Sequence, residues 1–134
     1  MEMIIDFPGG ARVDAHFGPY DIQTDQPPQG GGSGAAPTPF AVFLASIGTC
    51  AGIYVLGFCN QRGLPTDGIR IVQRMHADPF ERGMVQKIEL EIQVPAEFPE
   101  KYHAALVRSA EQCLVKRHFE KPPQFDVHTT AVSE

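Results

Sequence analysis

The sequence predicts a single α+β domain in which two long helices, the first of them largely buried, pack against antiparallel sheet. With 134 residues, of which 43% are hydrophobic, the chain can build one core of useful size. No residue between Ala35 and Asn60 is charged, which favours a buried helix. Residues 87–94 alternate between polar and apolar side chains, as a half-buried strand does.

Composition and charge exclude several classes of partner. A net charge of −5 offers no basic surface to nucleic acid. The N-terminus lacks the basic region and apolar run of a signal peptide, so we expect a cytoplasmic protein. The uncharged segment approaches the ~20 apolar residues that cross a bilayer. Glycine, serine and threonine dilute it, and flanking aromatic and basic anchors are lacking, so we expect no membrane partner.

The first 37 residues divide into a strand-rich part and a loop. Residues 1–24 predict a β meander, "MEMIIDF", "ARVDAHF" and "YDIQTD", with turns at "PGG" and "GP". Residues 25–37 contain "QPPQGGGSGAAP" and predict a flexible Gly/Pro loop, mobile unless a partner covers it.

Residues 38–134 predict a core of the order helix–strand–strand–helix–strand. Thr38 and Pro39 are a typical helix start, and Gly63 with Pro65 a matching stop. Two strands, "DGIRIVQRMHADP" and "MVQKIELEIQVP", follow around the turn "DPFERG". A second helix is expected from Pro99 to about residue 118, before "KPP", and "QFDVHTTAV" predicts a last strand.

Three cysteines without a C-x-x-C pair indicate reduced thiols. Cys50 and Cys59 are nine positions apart on the first helix, which turns them to opposite sides and separates them by roughly 13 Å. They cannot pair within one chain. Cys113 falls on the inner face of the second helix with Tyr102, Leu106 and Ala110, where it is free to meet either of them. Simple core packing is the alternative for each thiol.

Three segments resemble the OsmC/Ohr family of osmotically inducible and organic hydroperoxide resistance proteins. They are "PTPFAVFLASIGTCAGIYV", "QRGLPTDGIRI" and "SAEQCLVKRHF", and their order covers the chain from Pro37 to the C-terminus. The resemblance implies an OsmC-like fold and an intertwined homodimer. An uncharged helix in so small a chain agrees with a homodimer, since one protomer offers little surface to cover it.

The resemblance also implies thiol-based reduction of organic hydroperoxides without a metal or bound cofactor. Cys50 would attack the peroxide and become a sulfenic acid, and Cys113 would condense with it to a disulfide. An external dithiol, lipoyl-type in relatives, would reduce the pair. The five histidines show no metal-ligand spacing, so no metal site is expected.

One departure from the family pattern concerns the activation of the thiol. Cys50 lies several turns from the N-terminus of its helix, so the helix dipole cannot favour its thiolate. Relatives use an arginine for this purpose, and a glutamate near the start of the cysteine helix holds that arginine. Arg12, after a double glycine, matches the arginine, with a solvated turn role as its alternative. Phe40 stands at the glutamate position, and a phenyl ring cannot orient a guanidinium. Phe40, Ser46 and Tyr54 are expected to line the substrate pocket, with core packing as the alternative.

The sequence is also compatible with two further functions. The same pocket could hold a small apolar or electrophilic ligand while the thiols act as ligands or redox sensors, which Phe40 favours over the enzyme. The chain could also be an interaction dimer with inert thiols. The retained pair of cysteines favours a peroxide reductase.

Overall fold

The structure is a computed structural model that describes residues 1–133. It contains two compact units, Met1–Ser46 and Ile47–Glu134, of which Glu134 itself lies outside the described residues. Helices and antiparallel sheets are both present, which confirms the α+β class. The single domain expected over residues 1–134 stays a prediction.

The N-terminal unit contains a three-stranded antiparallel meander, as the sequence predicted. Its strands are β1 (Ile4–Gly9), β2 (Arg12–Phe17) and β3 (Tyr20–Thr24), with β2 in the centre. Gly10 and Gly18 lie in the two tight turns with φ of +59° and +52°. Only glycine adopts this left-handed region without a steric penalty, which explains the turn sequences.

A buried carboxylate holds the loop after β3. Asp25, 1% exposed, accepts hydrogen bonds from the backbone N–H of Gln26 at 2.7 Å, the Ser33 hydroxyl at 2.9 Å and the Ala35 N–H at 3.0 Å. Its own N–H donates to the Pro37 carbonyl at 3.1 Å. The Ala35 and Gln26 amides lower the pKa of Asp25, because they favour the ionised form. The mobility of this loop stays a prediction. The glycine content of the loop gave no indication that Asp25 anchors it.

The long helix α1 spans Pro39–Gln61 and begins and ends where the sequence indicated. The Thr38 hydroxyl accepts the N–H of Ala41 at 3.1 Å, which is an N-cap, and Gly63 with φ of +63° follows the last turn. The expectation that α1 is largely buried is wrong. Only five residues of the helix are buried, Ile47, Ala51, Val55, Phe58 and Cys59. They recur every three or four positions and therefore form one stripe.

The other side of α1 is apolar and uncovered within one chain, as Ile53 at 65% exposure shows. In length and composition α1 is also the one described helix that could cross a membrane. Length and composition alone do not make a helix a membrane span, and one side of α1 carries the buried stripe.

The second unit is built on a hairpin of β4 (Arg70–Ala77) and β5 (Val85–Gln93), both predicted. Helix α1 approaches β4 closely at Gly48, where an added Cβ would collide with the side-chain oxygen of Gln73. The buried stripe of α1 packs with the next helical segment into one core cluster, whose members are Ala51, Val55, Phe58, Cys59, Phe98, Leu106 and Ala110.

The predicted second long helix is wrong, because the chain breaks it. After a 3-10 turn at Glu100–Tyr102, α2 spans His103–Ala110 and α3 spans Leu114–Glu120. Between them Cys113 adopts φ of −47° and ψ of 128°, an extended conformation that does not occur inside an α-helix. Cys113 is 2% exposed, so packing of its side chain accompanies the break.

The predicted last strand is also wrong for the single chain. Residues 122–133 form no regular element, and Phe125 and Val127 are 87% and 92% exposed. A strand needs a neighbour for its backbone hydrogen bonds, and no described strand of this chain pairs with that segment.

Asp25→Asn tests the loop anchor. At pH 7 we expect a lower melting temperature, because the amide cannot replace the carboxylate as acceptor of three hydrogen bonds. The pKa of Asp25 is lowered in the folded state, so its contribution is complete above its unfolded value of about 3.9 and is lost as the pH falls through the folded value.

The difference in melting temperature between wild type and Asp25→Asn should therefore shrink in acid. Asp67→Asn, at an exposed position, is the control and should show neither effect. A difference that stays constant down to pH 2 would contradict the anchor.

Candidate redox site

Cys50 and Cys113 come together in the second unit. Cys50 lies midway along α1 and is half-buried, whereas Cys113 is buried at the break between α2 and α3. Both are free thiols, and their side chains are hydrogen-bonded to each other. Of the two cysteines that Cys113 could meet, the structure brings Cys50 to it, and a disulfide between them stays a prediction.

The start of α3 provides the electrostatic environment of Cys50. The backbone N–H of Val115 has the largest effect in lowering the pKa of the Cys50 thiol; burial opposes it. The Cys113 thiol, the Leu114 N–H and the charge of Arg117 lower this pKa further. Hydrogen bonds to a thiolate favour the ionised form, as a positive charge does. Cys50 is therefore the thiol that ionises more readily.

Cys113 has the opposite tendency. Burial is the main cause that raises the pKa of its thiol, and the hydrogen bond to Cys50 raises it further. Its sulfur also caps α3 by accepting the backbone N–H of Lys116 at 3.4 Å. The two sulfurs thus form an unequal pair, in which a thiolate at Cys50 is stabilised by a thiol that keeps its proton.

Such a pair can perform two-electron redox chemistry. A thiolate is the nucleophilic form of cysteine, and a second thiol that interacts with it can form a disulfide with it once the two sulfurs reach bonding distance. Cys59 is unsuited to this role. It is fully buried in the core cluster, and burial raises the pKa of its thiol.

An apolar pocket of about 560 Å³ lies against Cys113. Ile88, Leu90 and Ile92 of β5 form one side of it, and Val107 of α2 and Phe119 of α3 contribute to the other. Pockets of this size and character commonly bind small molecules. The pocket lining includes Cys113 but not Cys50.

The other residues expected near the substrate do not line the pocket beside Cys113. Tyr54 lines a separate, more polar pocket of about 460 Å³ with Arg62 and Arg108, and not the pocket beside Cys113. Phe40 stacks on Phe43 with ring centroids 5.6 Å apart and is half exposed. Ser46 donates its hydroxyl to the Phe43 carbonyl of its own helix at 2.6 Å.

Arg12 has an acidic partner that the sequence reading missed. In β2 of the N-terminal unit its guanidinium lies 3.0 Å from the carboxylate of Asp14, which is 7% exposed. Asp14 can therefore orient the guanidinium, which Phe40 cannot. The Arg12 Nε and one Asp14 oxygen are buried without a hydrogen-bond partner in the described part of the chain.

The sequence reading also missed the amides of Leu114 and Val115. It assigned the polarisation of Cys50 to an arginine because the N-terminus of α1 is too far away. The relevant N-terminus belongs to α3, which exists only because the helix breaks at Cys113. Glu111 and Gln112 both favour helices, so no local signal marks the break.

Leu114→Pro tests the role of the α3 amides. Proline is tolerated at the first helical position and removes one N–H that favours the Cys50 thiolate, and Cys113 already has the extended conformation that precedes proline. We expect alkylation of Cys50 by iodoacetamide at pH 7 to slow several-fold, because the pKa of Cys50 rises.

Peptide mass mapping would follow Cys50 separately from the other thiols across pH 5–10. Leu114→Ala shortens the same exposed side chain and keeps the amide, so it should alkylate like the wild type. Equal rates for the proline and alanine variants would contradict the role of the amide.

Comparison with known proteins places this arrangement in a family. The family model of OsmC-like proteins matches residues 30–128. A search of curated protein sequences finds no significant match.

Several solved structures share the fold. A candidate osmotic stress induced and detoxification response protein of Psychrobacter arcticus is 22% identical with a TM-score of 0.67, covering 86% of this chain and 85% of the other. An OsmC-like protein of unknown function from Vibrio cholerae is 11% identical with a TM-score of 0.63, and the match covers 87% of this chain and 90% of the other. An organic hydroperoxide resistance protein of Legionella pneumophila, named as a predicted redox protein, is 19% identical with a TM-score of 0.52, and the match covers 89% of each chain. With its family model matched over most of its length, the chain belongs to the OsmC-like family.

Proposed function

We propose that the protein reduces organic hydroperoxides with Cys50 as the attacking thiol and Cys113 as the resolving thiol. The juxtaposition of the two free thiols supports this assignment best, and the opposite directions of their pKa shifts agree with it. Cys50 is also the more accessible of the two, since it is half-buried. The attacking sulfur has to be both ionised and reachable.

The reaction proceeds in two steps. The Cys50 thiolate attacks the distal peroxide oxygen, the O–O bond breaks, and the alkoxide takes a proton to leave as an alcohol. The sulfenic acid on Cys50 then reacts with the Cys113 sulfur, forming the disulfide and releasing water. Cys113 protects Cys50 in this scheme, because a sulfenic acid without a second thiol goes on to irreversible forms in excess peroxide. An external dithiol returns the pair to the reduced state.

A redox sensor or ligand-binding protein is the second candidate. Phe40, stacked on Phe43, leaves this chain without the acid that relatives place near the start of the cysteine helix. Asp14 supplies an acid to Arg12 from a different place in the sequence. Activation of Cys50 by Arg12 belongs to the proposal, as does a substrate contact by Phe40, Ser46 or Tyr54.

One equivalent of cumene hydroperoxide should oxidise the reduced protein by two electrons. Intact mass should fall by two hydrogen atoms, since a Cys50–Cys113 disulfide forms. In Cys113→Ser, excess peroxide should instead add oxygen atoms to Cys50, because the resolving thiol is missing. Cys59→Ala is the control and should behave like the wild type.

Thiols that survive excess peroxide unchanged would overturn the proposal. Turnover with dihydrolipoamide separates the two candidates. Continuous consumption of peroxide supports the reductase, whereas a single stoichiometric oxidation without recycling supports the sensor.

We also propose that the protein is a homodimer. On α1, Ile53 and Leu56 are 65% and 40% exposed on the side away from the core cluster. Phe125, Val127 and Val132 are also exposed, in segment 122–133. Large uncovered apolar surfaces are typical of interaction sites, and a second copy offers the same surfaces in return. The cytoplasmic location expected from the sequence stays a prediction.

Light scattering should give a mass of about twice 14.7 kDa. Ile53→Glu should shift the mass towards the monomer, because it places a charge in the apolar contact. Glu111→Gln, an exposed change away from this face of α1, is the control. A wild-type protein that is monomeric at micromolar concentration would contradict the dimer.

A further inference from the structure

The two sulfurs of the pair have different surroundings. Cys113 is 2% exposed and forms part of the wall of the 560 Å³ pocket. Cys50 is half-buried and lies outside the lining of that pocket. A molecule bound in the pocket therefore meets Cys113 and not Cys50.

The walls of the pocket indicate what it can hold. Its sides are mainly aliphatic, with Ile88, Leu90 and Ile92 on β5 and Val107 on α2. The charged lining residues balance, since two are cationic and two anionic: Lys87, Lys116, Glu111 and Glu120. A balanced charge and an aliphatic wall suit an uncharged ligand with an alkyl chain better than a charged peptide thiol.

We propose that the recycling dithiol binds in this pocket through an alkyl chain and attacks the sulfur of Cys113, whereas the peroxide reaches Cys50 from outside the pocket. This inference rests on the proposed function, because it requires the Cys50–Cys113 disulfide. It assigns separate entrances to the oxidant and the reductant.

The thiol exchange balances as follows. One thiolate of the reductant attacks the Cys113 sulfur, the protein disulfide breaks, and Cys50 leaves as a thiolate. The second thiolate of the reductant then attacks the reductant sulfur bound to Cys113, which closes a cyclic disulfide and releases Cys113 as a thiolate that takes a proton. The dithiol loses two electrons and the protein disulfide gains them.

The order of attack agrees with the surroundings of Cys50. A thiol of lower pKa is the better leaving group in thiol–disulfide exchange. The Val115 amide lowers the pKa of Cys50, so breaking the disulfide towards Cys50 gives the more stable thiolate. Attack at Cys50 would instead expel Cys113, whose burial disfavours its thiolate.

Trapping with a single-thiol analogue tests which sulfur is attacked. The protein is oxidised with diamide, so that the disulfide forms without any peroxide reaction, and is then treated with mercaptooctanamide in the presence of iodoacetamide. Peptide mass mapping should find the thiol adduct on Cys113 and the carbamidomethyl group on Cys50. The reverse distribution would overturn the inference.

The same experiment separates the two proposals. If diamide links the pair and peroxide does not, the proposed function fails while the site of thiol attack is still decided by the trapping. If diamide does not link Cys50 to Cys113, the disulfide that the inference requires does not form, and the inference fails as well.

Filling the pocket tests the separate entrances. Val107 lines the pocket and is 48% exposed, so Val107→Trp can add bulk without burying it in the core. Reduction of the diamide-formed disulfide by dihydrolipoamide should slow at least tenfold, while oxidation of Cys50 by cumene hydroperoxide should stay within twofold of the wild-type rate.

Phe80→Trp, at a 95% exposed position in the β4–β5 turn, controls for the introduced tryptophan and should change neither rate. Unchanged reduction by dihydrolipoamide in Val107→Trp would overturn the inference, as would an equal loss in both half-reactions.

Discussion

The break in the helical segment at Cys113 is the constraint on which the candidate site depends. In an unbroken helix the N–H groups of residues 114 and 115 would bond to the carbonyls four positions earlier. Because Cys113 is extended, these amides begin a new helix and have no carbonyl partner of that kind. They are used instead to favour a thiolate on Cys50. Cys113 therefore follows the turn at the end of α2, caps α3 through its sulfur, and supplies the second thiol of the pair.

This arrangement makes two chemically identical side chains unequal. Cys50 is half-buried and the Val115 and Leu114 amides lower the pKa of its thiol, whereas burial raises the pKa of the Cys113 thiol. A reductase needs that difference, since one sulfur has to attack a peroxide and the other has to wait for the sulfenic acid. Cys59 shows the contrast, because a thiol buried among Val55, Phe58 and Leu106 has apolar neighbours and a raised pKa.

Much of the fold was predictable because the signals were local. The alternation of β5, the Thr38 cap and the turn glycines each determine structure within a few residues. The errors arose where distant contacts decide. Glu111 and Gln112 favour a helix by propensity, yet the helix breaks beside the buried Cys113. The Asp25 anchor was not predicted, since it depends on Ser33 and Ala35, eight and ten residues further along the chain. Segment 122–133 contains the strand-like pattern "QFDVHTTAV" but has no described partner strand.

Equilibration of the protein with dithiothreitol redox buffers, with the thiols mapped at each potential, tests the Cys50–Cys113 pair most directly. We expect one two-electron transition that links Cys50 to Cys113, is retained in Cys59→Ala and is lost in Cys50→Ser and Cys113→Ser. A transition that requires Cys59, or the absence of any disulfide within one chain under oxidising conditions, would contradict it.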